Sequence, residues 1–179
     1  ADPKFVPAAQ MIPLLSYDEA AELSYFGAKI LHPRTVEPLR KLGLAIAVKN
    51  TMNPDAPGSL ITAKSPQGKS PIKSVAHDTD IAILKVHASG VGARPGVLAR
   101  VSSTITGSGI NIKSVVTSQT CISFLLGRKD VDKAYQAVQL LSPKPYRHLE
   151  RVQDVALVGI VGKGLLRQKG IAARCFTAV

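Results

Sequence analysis

The chain has no tryptophan, four phenylalanines, four tyrosines, two cysteines and two methionines in 179 residues. Aromatic residues at 4% leave few platforms on which single-stranded nucleic acid could stack. Cys121 and Cys175 lie far apart and show neither C-x-x-C nor mixed Cys/His spacing, so neither a disulfide scaffold nor a metal site is expected. No apolar run approaches the roughly 18 residues of a membrane helix; the best candidate, 155–161, suits a buried strand. Acids are scarce, 12 against 23 Lys and Arg, giving a net charge of +11. The basic residues are scattered, in pairs such as Arg40-Lys41 and Arg128-Lys129, which fits a solvated surface or attraction for small anions better than a nucleic-acid face. The start, Ala1-Asp2-Pro3, has no methionine and no signal-peptide pattern, so a piece of a longer protein in a reducing, cytoplasmic setting is expected.

What is present fits an ordinary globular protein: 45% hydrophobic and 20% charged residues exclude disorder, collagen-like repetition and coiled coil. Ser16-Tyr17-Asp18-Glu19 has the S-x-x-E pattern of a capping box, and Ala20, Leu23 and Phe26 continue one helical face to Gly27. A second helix is expected over Pro33 to Leu42, with Pro38 implying a kink or a later start. A short strand, Leu44 to Val48, a turn-rich loop to Ser59 and a strand at Leu60-Ile61-Thr62 follow. The stretch from Lys64 to Pro71, with two prolines and a glycine, reads as part of a linker.

The remainder repeats itself. Ile81–His87 aligns without a gap on Val155–Val161, Gly90 on Gly164, Gly96 on Gly170 and Ala99-Arg100 on Ala173-Arg174. The first copy reads as strand, glycine-bearing loop, helix (Val97, Leu98, Val101, Ile105), two strands (Ile110 to Thr117 and Thr120 to Leu126) and a last helix capped by Asp130. Strand-helix-strand-strand-helix is a ferredoxin-like sandwich awaiting its fourth strand.

Between the first strand and its helix, Gly90-Val91-Gly92-Ala93-Arg94-Pro95-Gly96 has G-x-G-x-x-x-G spacing, and no acidic residue ends the next strand, so a dinucleotide site is not expected. Free N–H groups at the helix start, with Arg94, could cradle a carboxylate; a tight turn that merely needs glycine is the other reading, and the residues leave both open. Gly159 to Gly164 lacks P-loop spacing and its Ser/Thr. His32, His77, His87 and His148 are separated in sequence, without a carboxylate at ligand spacing, and read as structural or exposed.

Three segments carry a resemblance: Ala1-Asp2-Pro3-Lys4, the block Phe26-Gly27-Ala28-Lys29-Ile30-Leu31-His32-Pro33, and Asn50-Thr51-Met52-Asn53-Pro54 leading to Gly58-Ser59-Leu60-Ile61. With the tandem repeat, they make the chain resemble aspartate kinase, from the end of its catalytic domain into its ACT regulatory region. The resemblance implies an α/β (α+β) chain: a remnant of an amino-acid-kinase domain over 1–64, a linker over 65–79, a ferredoxin-like βαββαβ ACT unit over 80–152 and the start of a second over 153–179. The family transfers the γ-phosphate of ATP to the side-chain carboxylate of aspartate with Mg2+, on the way to lysine, threonine and methionine. Lys29, and Lys4 where relatives carry arginine, would then contact ATP. The family's N-terminal Lys-Phe-Gly-Gly has no counterpart, since Lys4-Phe5 is followed by Val6; no catalytic residue and no turnover are expected of this chain, and no tightly held cofactor.

The same resemblance implies an amino-acid effector pocket built from Val91, Arg94, Gly96, Val97, Leu98, Asn111, Ile112, Lys113, Thr117, Ser118 and Gln119. Lysine-inhibited relatives carry acids at the positions of Lys113 and Gln119, and the glutamine of threonine-inhibited relatives falls at Val115, so the effector stays open. ACT sheets pair their edges across subunits, which implies a homodimer. Two further readings compete: a non-catalytic amino-acid-binding ACT regulatory subunit, and a basic nucleic-acid binder whose retention on DNA would fall steeply with salt.

Overall fold

Ser16 ends the first strand and starts the first helix, and its side chain fixes that junction. Its Oγ accepts from Glu19 N at 3.2 Å while Glu19 Oε2 accepts from Ser16 N at 2.8 Å, so the reciprocal cap expected from S-x-x-E is formed. The structure is a computed structural model that describes residues 2–28, 31–64, 70–88, 95–165 and 168–178, the side chain of Pro33 excepted. Its backbone divides into two units, 1–78 with 158–179, and 79–157.

In the first unit, β1 (Leu14–Ser16) runs parallel to β3 (Ser59–Thr62), which pairs antiparallel with β2 (Ile46–Val48), in the order β1-β3-β2. The helices α1 (Tyr17–Tyr25) and α2 (Pro33–Lys41) pack on one another. Leu15, Tyr17, Ala20, Leu23, Val36 and Ile61 form the core there, and the Tyr17 hydroxyl donates to the Leu44 carbonyl at 2.8 Å. The helix α2 starts at Pro33 and contains Pro38; His32 caps it, Nδ1 accepting from Arg34 N at 3.2 Å. Glu19 is 5% exposed and its Oε2 also lies 3.0 Å from Lys73 Nζ.

The stretch expected to be a linker contains a strand. Ser74–Asp78 forms β4, which pairs in a two-stranded sheet with β9 (Leu157–Val161). Its inward positions are Ser74 and Ala76, too small and too polar to register as a hydrophobic alternation. Residues 65–69 of the expected linker lie outside the described residues. After β9 comes a short helix, α5 (Ile171–Thr177).

The second unit is an antiparallel sheet in the order β6-β7-β5-β8, from β5 (Ala82–His87), β6 (Ile112–Thr117), β7 (Cys121–Leu126) and β8 (His148–Val152). With α3 (Val97–Gly107) after β5 and α4 (Val131–Gln139) after β7, this is the βαββαβ sandwich, and β8 supplies the missing fourth strand beside β5. Strand alternation decides the faces. Leu84 and Val86 of β5 and Ile122, Phe124 and Leu126 of β7 are fully buried against Val101 and Ile105 of α3 and Val131, Ala134 and Val138 of α4. Ile83, Lys85, His87, Cys121, Ser123 and Leu125 take the opposite, partly exposed face. Asp130 stands at the start of α4 as expected, but its side chain makes no cap bond: a 3-10 turn, Arg128–Asp130, leads into the helix instead. Arg128 Nη2 donates to the carbonyls of Thr79 at 2.9 Å and Val155 at 3.4 Å, tying together the entry and exit of this unit. Among the described residues no helix is long and apolar enough to cross a membrane.

Candidate functional site

The helix α3 begins at Gly96, whose φ of 87° lies in the left-handed region, and no side chain caps the first turn. The aligned Gly170 starts α5 in the same way, with φ 80° and no side-chain cap, so the repeat seen in the sequence is a repeat of backbone geometry. Helix-start N–H groups left without an internal acceptor suit a carboxylate, and the first turn of α3 holds no acid that would compete.

Connectivity divides the expected pocket residues between two ends of the sheet. The last residues of β5, the start of α3 and the β6–β7 turn share one end. Gly96, buried Val97 and half-exposed Leu98 are there, and so are Thr117, Ser118 and Gln119, all exposed. Ala88 N donates to Thr120 O at 3.0 Å, which fastens the start of the loop to that turn. Ser118 builds the turn itself: its Oγ accepts from Cys121 N at 3.1 Å and its N donates to Cys121 O at 2.8 Å. Asn111, Ile112 and Lys113 sit at the far end of β6, roughly 15 Å along the strand. There Lys113 Nζ donates to Asp80 O at 2.7 Å. Val91 and Arg94 fall outside the described residues, as does Lys29; Lys4 is exposed near the start, with its N–H bonded to Asp2 Oδ1 at 2.9 Å.

Two of the histidines expected to stand apart form a second cluster with a carboxylate. The register of β5 and β8 sets His87 opposite His148, and their rings stack with centroids 4.0 Å apart at 7°. Glu150, two residues along β8 and therefore on the same face, places Oε2 3.1 Å from His87 Nε2 and Oε1 3.3 Å from Lys85 Nζ. Hydrogen bonds from His87 and then from Lys85 hold the Glu150 carboxyl below the ordinary glutamate range. The signal that could have found it is H-x-E in a strand: His148 and Glu150 share a face there, although they would not in a helix.

Comparison with protein families matches residues 84–139 to the ACT domain and residues 1–50 to the amino acid kinase family. The chain is 36% identical over 185 aligned residues to a bifunctional aspartokinase/homoserine dehydrogenase of Haemophilus influenzae, covering 99% of this chain and 23% of that protein. It superposes with a TM-score of 0.87 on the aspartate kinase of Clostridium acetobutylicum, at 26% identity, covering 99% of this chain and 42% of that one. With E. coli aspartokinase III in complex with aspartate and ADP the TM-score is 0.82 at 26% identity, covering 98% and 40%. The chain spans between a fifth and a third of the length of the curated relatives it matches.

Proposed function

This chain belongs to the aspartokinases, matching the part that joins the end of the amino acid kinase domain to an ACT unit, and we propose that it is the regulatory segment of an aspartate kinase under amino-acid control. The parent enzyme transfers the γ-phosphate of ATP to the side-chain carboxylate of aspartate with Mg2+, and Lys4 and Lys29 contribute positive charge near the nucleotide. The observation that carries the regulatory reading is the uncapped start of α3 at Gly96, set at the same end of the sheet as the Thr117–Gln119 turn. Main-chain N–H groups there hold the effector carboxylate, while Val97 and Leu98 stand beside them in the first turn of α3.

The far-end residues Asn111, Ile112 and Lys113 contribute to a pocket only if the effector lies where a second copy supplies them, which is one reason for a homodimer. The other is that β6 ends the strand order among the described residues, with Val115 and Val116 exposed, a position suited to a partner strand. A lysine effector near Lys113 would meet repulsion of about 1 kcal/mol at 4 Å in water. Its position therefore favours a smaller or neutral amino acid. A non-catalytic regulatory subunit is the alternative, and the sequence preceding Ala1 separates the two.

The test is thermal unfolding of the chain against a panel of amino acids. A ligand of the native state present at about 100 times its Kd adds about 2.7 kcal/mol, a plain rise in Tm. One or two amino acids raising Tm supports the reading, and a panel with no effect overturns it. The chain by itself is expected to show no aspartate-dependent ATP turnover in a coupled assay; a measurable rate would refute that. Sedimentation as a monomer at high concentration would remove the homodimer.

A further inference from the structure

Outside the expected effector pocket, one group of side chains on the open face of the second unit has the makings of a metal centre. His87, His148 and Glu150 each offer one ligand atom, and these three atoms lie within 4.8 Å of one another. They stand on two hydrogen-bonded strands whose register places them together, so the backbone that carries them is rigid. Nothing in the enzyme proposed above uses them.

We propose that His87, His148 and Glu150 form a binding site for a divalent cation of the zinc type. Two imidazoles and one carboxylate are the protein ligands of an open zinc centre, in which a fourth position is left to water. Bonds of about 2.1 Å in a tetrahedron put ligand atoms roughly 3.4 Å apart, so the three side chains close on the ion and the two stacked rings tilt out of parallel to aim their nitrogens at it. Imidazole selects zinc, nickel and copper over magnesium and calcium. Lys85 is the competitor. Its ammonium lies 3.3 Å from Glu150 and must leave the carboxylate when the cation arrives; with a third of its side chain exposed, it can turn to water. The competition lowers the affinity without closing the site.

The probe is zinc alone, titrated into the 179-residue chain after removal of adventitious metal, with a chromophoric indicator as competitor. A single equivalent bound at roughly micromolar Kd is expected, with magnesium failing to compete. His148→Gln, at an exposed position, and Glu150→Gln should each weaken binding by about 10-fold or more. Circular dichroism of both variants separates loss of ligand from loss of fold. Zinc bound equally well by both folded variants means it is held elsewhere and overturns the site, as does no binding by the parent chain. Amino-acid binding at the α3 start does not enter this measurement, so the two readings fail independently.

Discussion

Replacing Gly96 and Gly107 by alanine, one at a time, separates backbone strain from steric fit. At both positions an added Cβ meets none of the described residues within 4 Å, so the comparison turns on backbone conformation. Gly96 has φ of 87°, where an L-residue costs about 1–2 kcal/mol. Alanine also lowers the entropy of the unfolded chain, returning about 0.4–1 kcal/mol. The net for Gly96→Ala is a loss of about 1 kcal/mol. Gly107 is the last residue of α3 and has no left-handed φ, so only the favourable side applies and Gly107→Ala gains about 0.5–1 kcal/mol. In a unit of this size each kcal/mol moves Tm by about 4–8 °C, so the two variants should separate by roughly 6 °C or more. Urea unfolding of the chain, followed by circular dichroism, reads both. Gly96→Ala as stable as the parent would refute the backbone assignment at the start of α3, and with it the uncapped N–H groups on which the effector reading rests.

Four further outcomes are expected. Glu19→Gln removes the charge that partners Lys73 in a mostly buried pair, and because Lys73 keeps some exposure the loss should be about 2–3 kcal/mol by urea unfolding. Ser16→Ala, which removes only the other half of the same cap, should cost about 1 kcal/mol. Phe124→Ala empties the centre of the second unit and should cost about 3–5 kcal/mol, enough to make its unfolding precede that of the rest in a thermal scan. Glu150 is held in its charged form by His87 and Lys85, so its contribution is present above the ordinary carboxyl value and fades as pH falls towards the depressed one; Glu150→Gln should flatten stability against pH over that acidic window, and an unchanged slope would contradict the hydrogen bonds.

Local chemistry was readable from the residues alone where it acts over a few positions. Ser16-Tyr17-Asp18-Glu19 gave its cap, and the spacing of Gly96 and Gly170 gave two equivalent helix starts; of the stripe expected on α3, Val97, Val101 and Ile105 are buried and Leu98 is not. What escaped depends on register between distant strands. His87 and His148 become neighbours only because β8 lies beside β5, and no local pattern states that pairing. The strand β4 escaped because its buried side chains are a serine and an alanine, and its partner β9 lies some eighty residues further on. Asn111–Lys113 and Thr117–Gln119 are only a few residues apart in sequence, yet the run of β6 sets them at opposite ends of the sheet.

Arg128 joins the backbone at Thr79 to the backbone at Val155; β4 ends just before the first of those points and β9 begins just after the second. The βαββαβ unit is thus an insertion whose own folding brings its termini together. Joining two strands across a floppy segment of that length would cost roughly 4 kcal/mol of chain entropy, whereas a segment that folds first has already met that cost. Synthesis from the N-terminus imposes the same sequence of events: the inner sandwich is complete when Val152 emerges, and β9 follows within a second or so at about 5–20 residues per second. Anything that delays the inner sandwich, such as a hole at Phe124, therefore leaves β4 waiting with an unpaired edge.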